Sequence, residues 1–356
     1  MDEIRLLEHM VEIYSPSGQE AGLADHVTGV ARRNGLAAGT DAVGNLVITT
    51  GEGFPHVMLL GHLDTVPGII PARREHGVLW GRGVVDAKGA LATFVSAAVR
   101  LAPDFPGRLT VIGTVQEEAV SSLGAQHVAL RDAPDAVVIG EPSGSNGVVL
   151  GYRGCQTIEY VVTTPCGHSA VVTDNAAEIA ADLWQAVRRE CADRSRGASA
   201  FDSWTPRLLR LHTASDGFTE RAELTFGVRT PPGAVMAAWR EYLAGLAGAG
   251  ELRYHEATPA VSMPKDSAIA RALRLAIRRH GGQPQMKVKS GSSDMNVVAQ
   301  SWNVPMVAYG PGDSHLDHTP HEHLDLDEYQ TSIAILTTAL THWARQMSPE
   351  RKEAPA

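Results

Sequence analysis

HVMLLGHLDT (residues 56–65) sets an apolar run, Val57 to Leu60, directly ahead of His62 and Asp64. The run reads as a short strand with apolar side chains on both faces. The same texture recurs at Leu46 to Thr49, Leu109 to Val115 and Ala136 to Ile139. Helical stretches lie between them. Ile4, Leu7, Met10, Val11 and Tyr14 share one side of a first helix that breaks at Ser15-Pro16. A second opens on a Ser17-to-Glu20 capping box and stops near Gly35, and others are predicted over Lys88 to Leu101 and Ala125 to Leu130. Strands apolar on both faces that alternate with helices imply an α/β fold, a mainly parallel sheet covered on both sides. Ligands of such sheets lie beyond the carboxyl ends of strands. His62, Glu117, Glu118 and Glu141 all follow a strand immediately, as a shared site requires.

From about Gln156 the texture changes to alternating polar and apolar strands at Thr157 to Thr163, Arg207 to His212, Ala222 to Arg229 and Glu251 to Thr258. Helices near Ala176 to Cys191 and Val235 to Leu246 separate them. A strand, helix, strand, strand, helix, strand order predicts an independent four-stranded sheet with two helices on one face, a ferredoxin-like α+β unit. Residues 156–262 are therefore expected to be an inserted domain, and residues 1–155 plus 263–356 the α/β domain it interrupts. The outer pattern resumes with a helix from Ser267 to His280, strands at Met286 to Lys289 and Val304 to Tyr309, and a last helix from Leu326 to Met347.

With 356 residues the chain exceeds the size at which single cores stop growing, which favours two domains. A net charge of -9 argues against a nucleic-acid or anionic-membrane partner. One local exception is the helical repeat of Arg271, Arg274, Arg278 and Arg279 with Lys287 and Lys289 beyond it, either a solvated helix face or a docking surface for an acidic partner. No apolar stretch approaches the roughly 20 residues that span a bilayer, and MDEIRLLEHMVEIY lacks the features of a secretory signal. Cys155, Cys166 and Cys191 are odd in number and not in CxxC pairs, so reduced thiols and a cytoplasmic location are expected.

The chemistry lies in the residues at the strand ends. Two histidines and several carboxylates, His62, Asp86, Glu117, Glu118, Glu141 and His318, are the ligand inventory of a two-zinc hydrolase, because Zn(II) takes imidazole and carboxylate and leaves positions open for water. Asp64, one residue beyond Leu63, is expected beside the His62 ring, where it would fix the tautomer. Asp86 stands in GRGVVDAKG (residues 81–89), whose Gly81, Gly83 and Gly89 permit close backbone approach around a bridging carboxylate; it is also a candidate N-cap for the Lys88 helix. Buried side by side, Glu117 and Glu118 would repel each other unless a cation stood between them; one is free to bind metal and the other to take a proton from water. Of His315, His318, His321 and His323, at least two are expected to be surface residues. His168, in CGHSA (residues 166–170), is either structural or functional on these grounds alone.

Taken in order, GHLDT, GRGVVDAKG, QEE, GEPS, GHSA and HTPHE resemble the M20 family of zinc-dependent amidohydrolases and peptidases over nearly the whole chain. The resemblance implies a two-zinc catalytic domain interrupted by a lid that forms a homodimer. It implies His62, Asp86, Glu118, Glu141 and His318 as metal ligands with Asp86 bridging, Glu117 as general base, Asp64 as the partner of His62, and His168 as the group that stabilises the oxyanion. Arg229, in VRTPP, is implied to meet a substrate carboxylate. GEPSG, LGYRG and KSGSSDMN look most like the members that release lysine or ornithine from a small acidic amino-group carrier protein, with Co(II) a possible substitute for zinc. Asp294 is then a candidate for the lysine ammonium, and Tyr152 and Arg153 either position the substrate or set the interdomain hinge. The alternatives are a deacylase of free N-acetylornithine, N-acetyllysine or a succinylated diamine, a small aminopeptidase or dipeptidase, and an inactive metal-binding scaffold.

Overall fold

A computed structural model describes residues 1–168, 170 and 174–348. It divides into two compact units, one of Met1–Gly151, Met263–Val288 and the chain from Ser293 onward, the other of Tyr152–Ser262 with Lys289–Ser292.

The first unit is built on a large sheet in which Ala37–Thr40, Leu46–Thr50, Arg108–Thr114, His56–His62, Ala136–Ile139, Met306–Ala308 and Gly147–Tyr152 are successive neighbours. The central pairings are parallel: His56–His62 with Arg108–Thr114, His56–His62 with Ala136–Ile139, and Ala136–Ile139 with Met306–Ala308. The outer pairings are antiparallel. Val57, Leu59, Val111, Val138 and Val307 are fully buried within one core cluster, and helices Lys88–Leu101, Ala268–Arg279 and Leu326–Met347 contribute apolar faces to it. This is the two-sided burial that leaves a strand no polar face. Register then fixes the site, because His62 lies opposite Thr114, and Leu60 opposite Ile139. Three chain segments therefore leave the sheet at one edge, carrying His62, Glu117 with Glu118, and Glu141.

In the second unit the sheet order is Thr205–Ser215, Thr219–Thr230, Gly154–Pro165, Glu251–Tyr254, antiparallel throughout. Helices Ala176–Arg194 and Met236–Leu246 supply the rest of a core made by Ile158, Tyr160, Val162, Leu183, Val187, Leu224, Phe226, Trp239 and Leu243. Period-two burial along Gly154–Pro165 and Thr219–Thr230 leaves the opposite sheet face polar.

Local differences from the sequence reading have physical causes. Ser17 and Glu20 form no capping box: the Ala21–Arg33 helix has no side-chain cap bond. Ser17 Oγ donates instead to Asp64 Oδ2 at 2.7 Å, and Glu20 Oε1 accepts from Gly18 N at 2.8 Å and Gln116 N at 3.1 Å. Lys289–Ser292 groups with the second unit because Arg153 N donates to the carbonyls of Lys289 and Gly291 and Arg229 Nη1 donates to Ser292 Oγ. All three cysteines are free. Among the described residues no helix is long and apolar enough to cross a membrane.

Candidate metal centre

Among the described residues two groups of side chains are spaced to hold a metal ion, His62 with Asp86 and Glu141, and Asp86 with Glu118 and His318. Within each, the candidate ligand atoms lie within 4.8 Å of one another. Asp86 belongs to both. Its Oδ1 is 3.2 Å from His62 Nε2 and its Oδ2 is 3.1 Å from His318 Nε2, so one carboxylate faces an imidazole on each side. Glu141 Oε1 stands 4.0 Å from His62 Nε2, and Glu118 Oε1 stands 2.9 Å from His318 Nε2. Glu117, although adjacent to Glu118 in the chain, joins neither group.

Backbone geometry aims these side chains. Gly83 has φ +81, and a Cβ there would meet Thr65 Cγ2 at 2.4 Å, so the loop ahead of Asp86 passes too close for any other residue. Asp86 does not cap the helix that follows; Ala87 holds the cap position with no side-chain bond, leaving both Asp86 oxygens to the histidines. Gln116 at φ 58 and His318 at φ 62 adopt the left-handed region without being glycine, strained backbone at two of the segments that carry the site.

Asp64 stands beside the His62 ring and meets it through two groups. His62 Nδ1 lies 2.9 Å from the Asp64 carbonyl oxygen and 3.5 Å from its Oδ1, so the backbone carbonyl is the nearer partner of the ring. The Asp64 carboxylate accepts from Glu117 N and Glu118 N, each at 3.0 Å, and from Ser17 Oγ. With Glu20 on Gln116 N, two buried carboxylates hold three consecutive amides of the QEE segment. Sequence reading missed Glu20 in this role because the pattern Ser-x-x-Glu is also that of a helix start.

The charges conflict in the absence of a cation. Burial drives Glu117 well above the usual carboxylate range, Glu141, Asp294 and Glu118 push the same way, and His62 opposes. Glu118 is raised by burial and by Asp86 against His318. Burial works against the Asp86 carboxylate too, yet hydrogen bonds from His318 and His62 hold it below the ordinary value. The same bonds, to Asp86 and Glu118, lift His318 to about 10. Three carboxylates, Asp86, Glu118 and Glu141, gathered with His62 and His318 at a buried edge are a donor set that fits a divalent cation.

Other candidates fall outside this cluster. Asp294 is only 2 % exposed, and burial raises it to about 6 although Thr114 Oγ1 donates to its Oδ2 at 2.6 Å. That bond holds Asp294 against the end of the Arg108–Thr114 strand. Arg153 is buried, with Nη2 donating to the carbonyls of Ser203 and Arg229 and to Thr205 Oγ1. Tyr152 is buried as well. His315 pairs with Asp313 in solvent, His321 is exposed, and His323 stacks on Trp80 at 4.4 Å. His168 and Arg229 belong to the second unit. His168 Nδ1 accepts from Ala170 N at 3.1 Å, which leaves the proton of a neutral ring on Nε2.

Residues 58–342 match peptidase family M20/M25/M40, and the chain belongs to that family. It is a metal-dependent hydrolase by class, with its candidate metal site where the strands of the parallel sheet end. Over 94 % of its length it is similar, at 46 % identity, to the LysW-lysine hydrolase of Deinococcus radiodurans, of which 95 % is covered. A tripeptidase from Staphylococcus aureus shares the fold with a TM-score of 0.81 at 18 % identity, 97 % of this chain covering 100 % of that one. An M20 family metallo-carboxypeptidase from Sulfolobus solfataricus does so with a TM-score of 0.77 at 17 % identity, 97 % of this chain covering 100 % of that one.

Proposed function

We propose that this chain cleaves the amide that joins lysine, or ornithine, to an acidic amino-group carrier protein, releasing the free amino acid in lysine biosynthesis. The observation that carries the chemistry is Asp86 standing between His62 and His318 with Glu117 outside both ligand groups. Similarity along nearly the full chain to a LysW-lysine hydrolase supports the substrate.

In this reading His62, Asp86 and Glu141 hold one zinc ion and Asp86, Glu118 and His318 the other. When bound, the ions supply Lewis acidity toward the amide carbonyl and lower the pKa of water to roughly 7. Glu117 takes the proton from the attacking water and delivers it to the leaving amine, which an amide requires because its nitrogen departs only once protonated. Asp64 and Glu20 fix the amides of residues 116–118 and so the direction in which Glu117 projects. His168, protonated on Nε2, donates to the developing oxyanion, and Arg229 receives a substrate carboxylate. The second unit acts as a lid and joins a homodimer. In support, Thr205–Ser215 is an edge strand with Leu208, Leu209 and Leu211 exposed by 39, 54 and 47 %.

The test is lysine release by zinc- or cobalt-loaded enzyme from the lysyl carrier protein, beside N-acetyllysine and N-acetylornithine at matched concentration. Faster turnover of the carrier adduct is expected; faster turnover of a free acylated amino acid would replace the carrier by a small-molecule substrate.

A further inference from the structure

Glu322 lies outside both ligand groups, yet it is 1 % exposed and its carboxylate bonds to the loop that carries Asp86. Oε1 accepts from Val85 N at 3.0 Å and from Asp86 N at 3.2 Å. Oε2 pairs with Arg82 Nη1 at 3.0 Å. That guanidinium continues outward, with Nη1 donating to Thr319 O at 3.3 Å and Nε to Gly68 O at 3.1 Å. Behind Glu322, strand His323–Asp325 pairs with Val78–Trp80, His323 opposite Trp80, and Gly81 N donates to the Glu322 carbonyl at 3.3 Å. A short antiparallel ladder thus sets Glu322 against the turn that delivers Asp86, in the same chain segment as His318.

From this we infer that Glu322, backed by Arg82, is a positioning residue for the metal centre: it anchors the backbone of Asp86, the shared ligand, and ties it to the loop that carries His318. The inference rests on the metal-hydrolase reading above. A buried carboxylate accepting two adjacent amides is a strong local constraint, since charge-assisted hydrogen bonds are about twice as strong as neutral ones. Ligands of a metal are only as well placed as the groups that hold them, and loss of such a support typically weakens metal binding by about 10- to 100-fold. Neither residue has a free direction in which to meet substrate: Glu322 is enclosed, and the Arg82 side chain, 11 % exposed, points into the two loops it joins.

Titration of the metal-free protein with Co(II), read by calorimetry and by the visible absorption of the bound ion, tests this. Wild type is expected to take up two ions. Glu322→Ala is expected to lower their affinity by about 10- to 100-fold and to alter the visible bands, because Asp86 serves both groups. Glu322→Gln keeps one oxygen for the two amides but turns an NH2 toward Arg82, so a smaller loss, about threefold or more, is expected and carries the test if the alanine variant does not fold. A merely structural residue would lower the melting temperature of the apoprotein and leave both affinities and the spectrum of the folded variants at wild-type values; that result overturns the inference. Wild-type protein that binds no ion would overturn the metal reading itself, a failure visible before any variant is compared.

Discussion

Glu117 and Glu118 are chemically identical neighbours separated by their surroundings. Glu118 meets His318 at 2.9 Å, whereas Glu117 faces burial and three other acidic groups without joining a ligand group. Glu117→Gln should therefore keep the metal content of wild type and lose about 10² to 10⁴ in kcat; metal analysis beside turnover checks both halves. Full activity in that variant would remove Glu117 from the mechanism. The residues alone leave one glutamate open to metal and the other to proton transfer; which is which depends on how the segment leaves its strand, where Asp64 and Glu20 from distant parts of the chain hold the amides of residues 116–118. Asp294 offers a second test. Its folded pKa is raised from 3.8 to about 6, so the folded state binds its proton more tightly than the unfolded chain does. The penalty is full above about pH 6 and is relieved as pH falls toward 3.8. In metal-free protein, Asp294→Asn should gain stability relative to wild type between pH 4 and pH 7, by about 3 kcal/mol at most. Denaturant unfolding across that range measures it, and a pH-independent difference would contradict the assignment.

At the scale of elements, periodicity exposed the long helices and most buried strands, because a sheet covered on both faces leaves an unbroken apolar run in the sequence, but not the buried strand Gly147–Tyr152, the edge strand Ala37–Thr40 or the short helix Asp294–Val298. Leu326–Met347 begins and ends as its pattern predicts. The short strands Arg73–Glu75, Val78–Trp80 and His323–Asp325 were not legible, since three residues carry too little pattern and their pairing is between distant segments. Glu322 was hidden for the same reason. Ser17-to-Glu20 misled in the opposite direction: a pattern sufficient for a local cap is used for long-range anchoring instead. The two roles differ in stability. A capping box predicts losses of about 1 kcal/mol for either Ser17→Ala or Glu20→Ala. The observed bonds predict a larger loss for Glu20→Ala, about 2 to 4 kcal/mol, because two amides, of Gly18 and Gln116, are left unpaired. Urea denaturation of the two variants distinguishes them, equal effects favouring the cap.

For the whole molecule, the change from unbroken apolar runs to alternation is read near Gln156, whereas the second compact unit starts at Tyr152 and also takes in Lys289–Ser292, since backbone hydrogen bonds of Arg153 leave no mark on composition. The proposed homodimer predicts a two-chain mass in sedimentation equilibrium, and Leu209→Asp with Leu211→Asp on the exposed edge should return it to one chain with unchanged far-UV circular dichroism. A wild-type monomer would argue against the lid as a dimer surface. The sharing of Asp86 by two ligand groups has a consequence of another kind. Two binding equilibria with a ligand in common are thermodynamically linked: whatever factor occupancy of the first position imposes on the second, the second imposes on the first. Removing Glu141 or His318 touches one equilibrium directly, but Asp86→Asn acts on both and on the coupling between them. With both groups filled as proposed, the centre would have one joint occupancy curve, and its shape, more than either affinity, would describe how the protein responds to the metal around it.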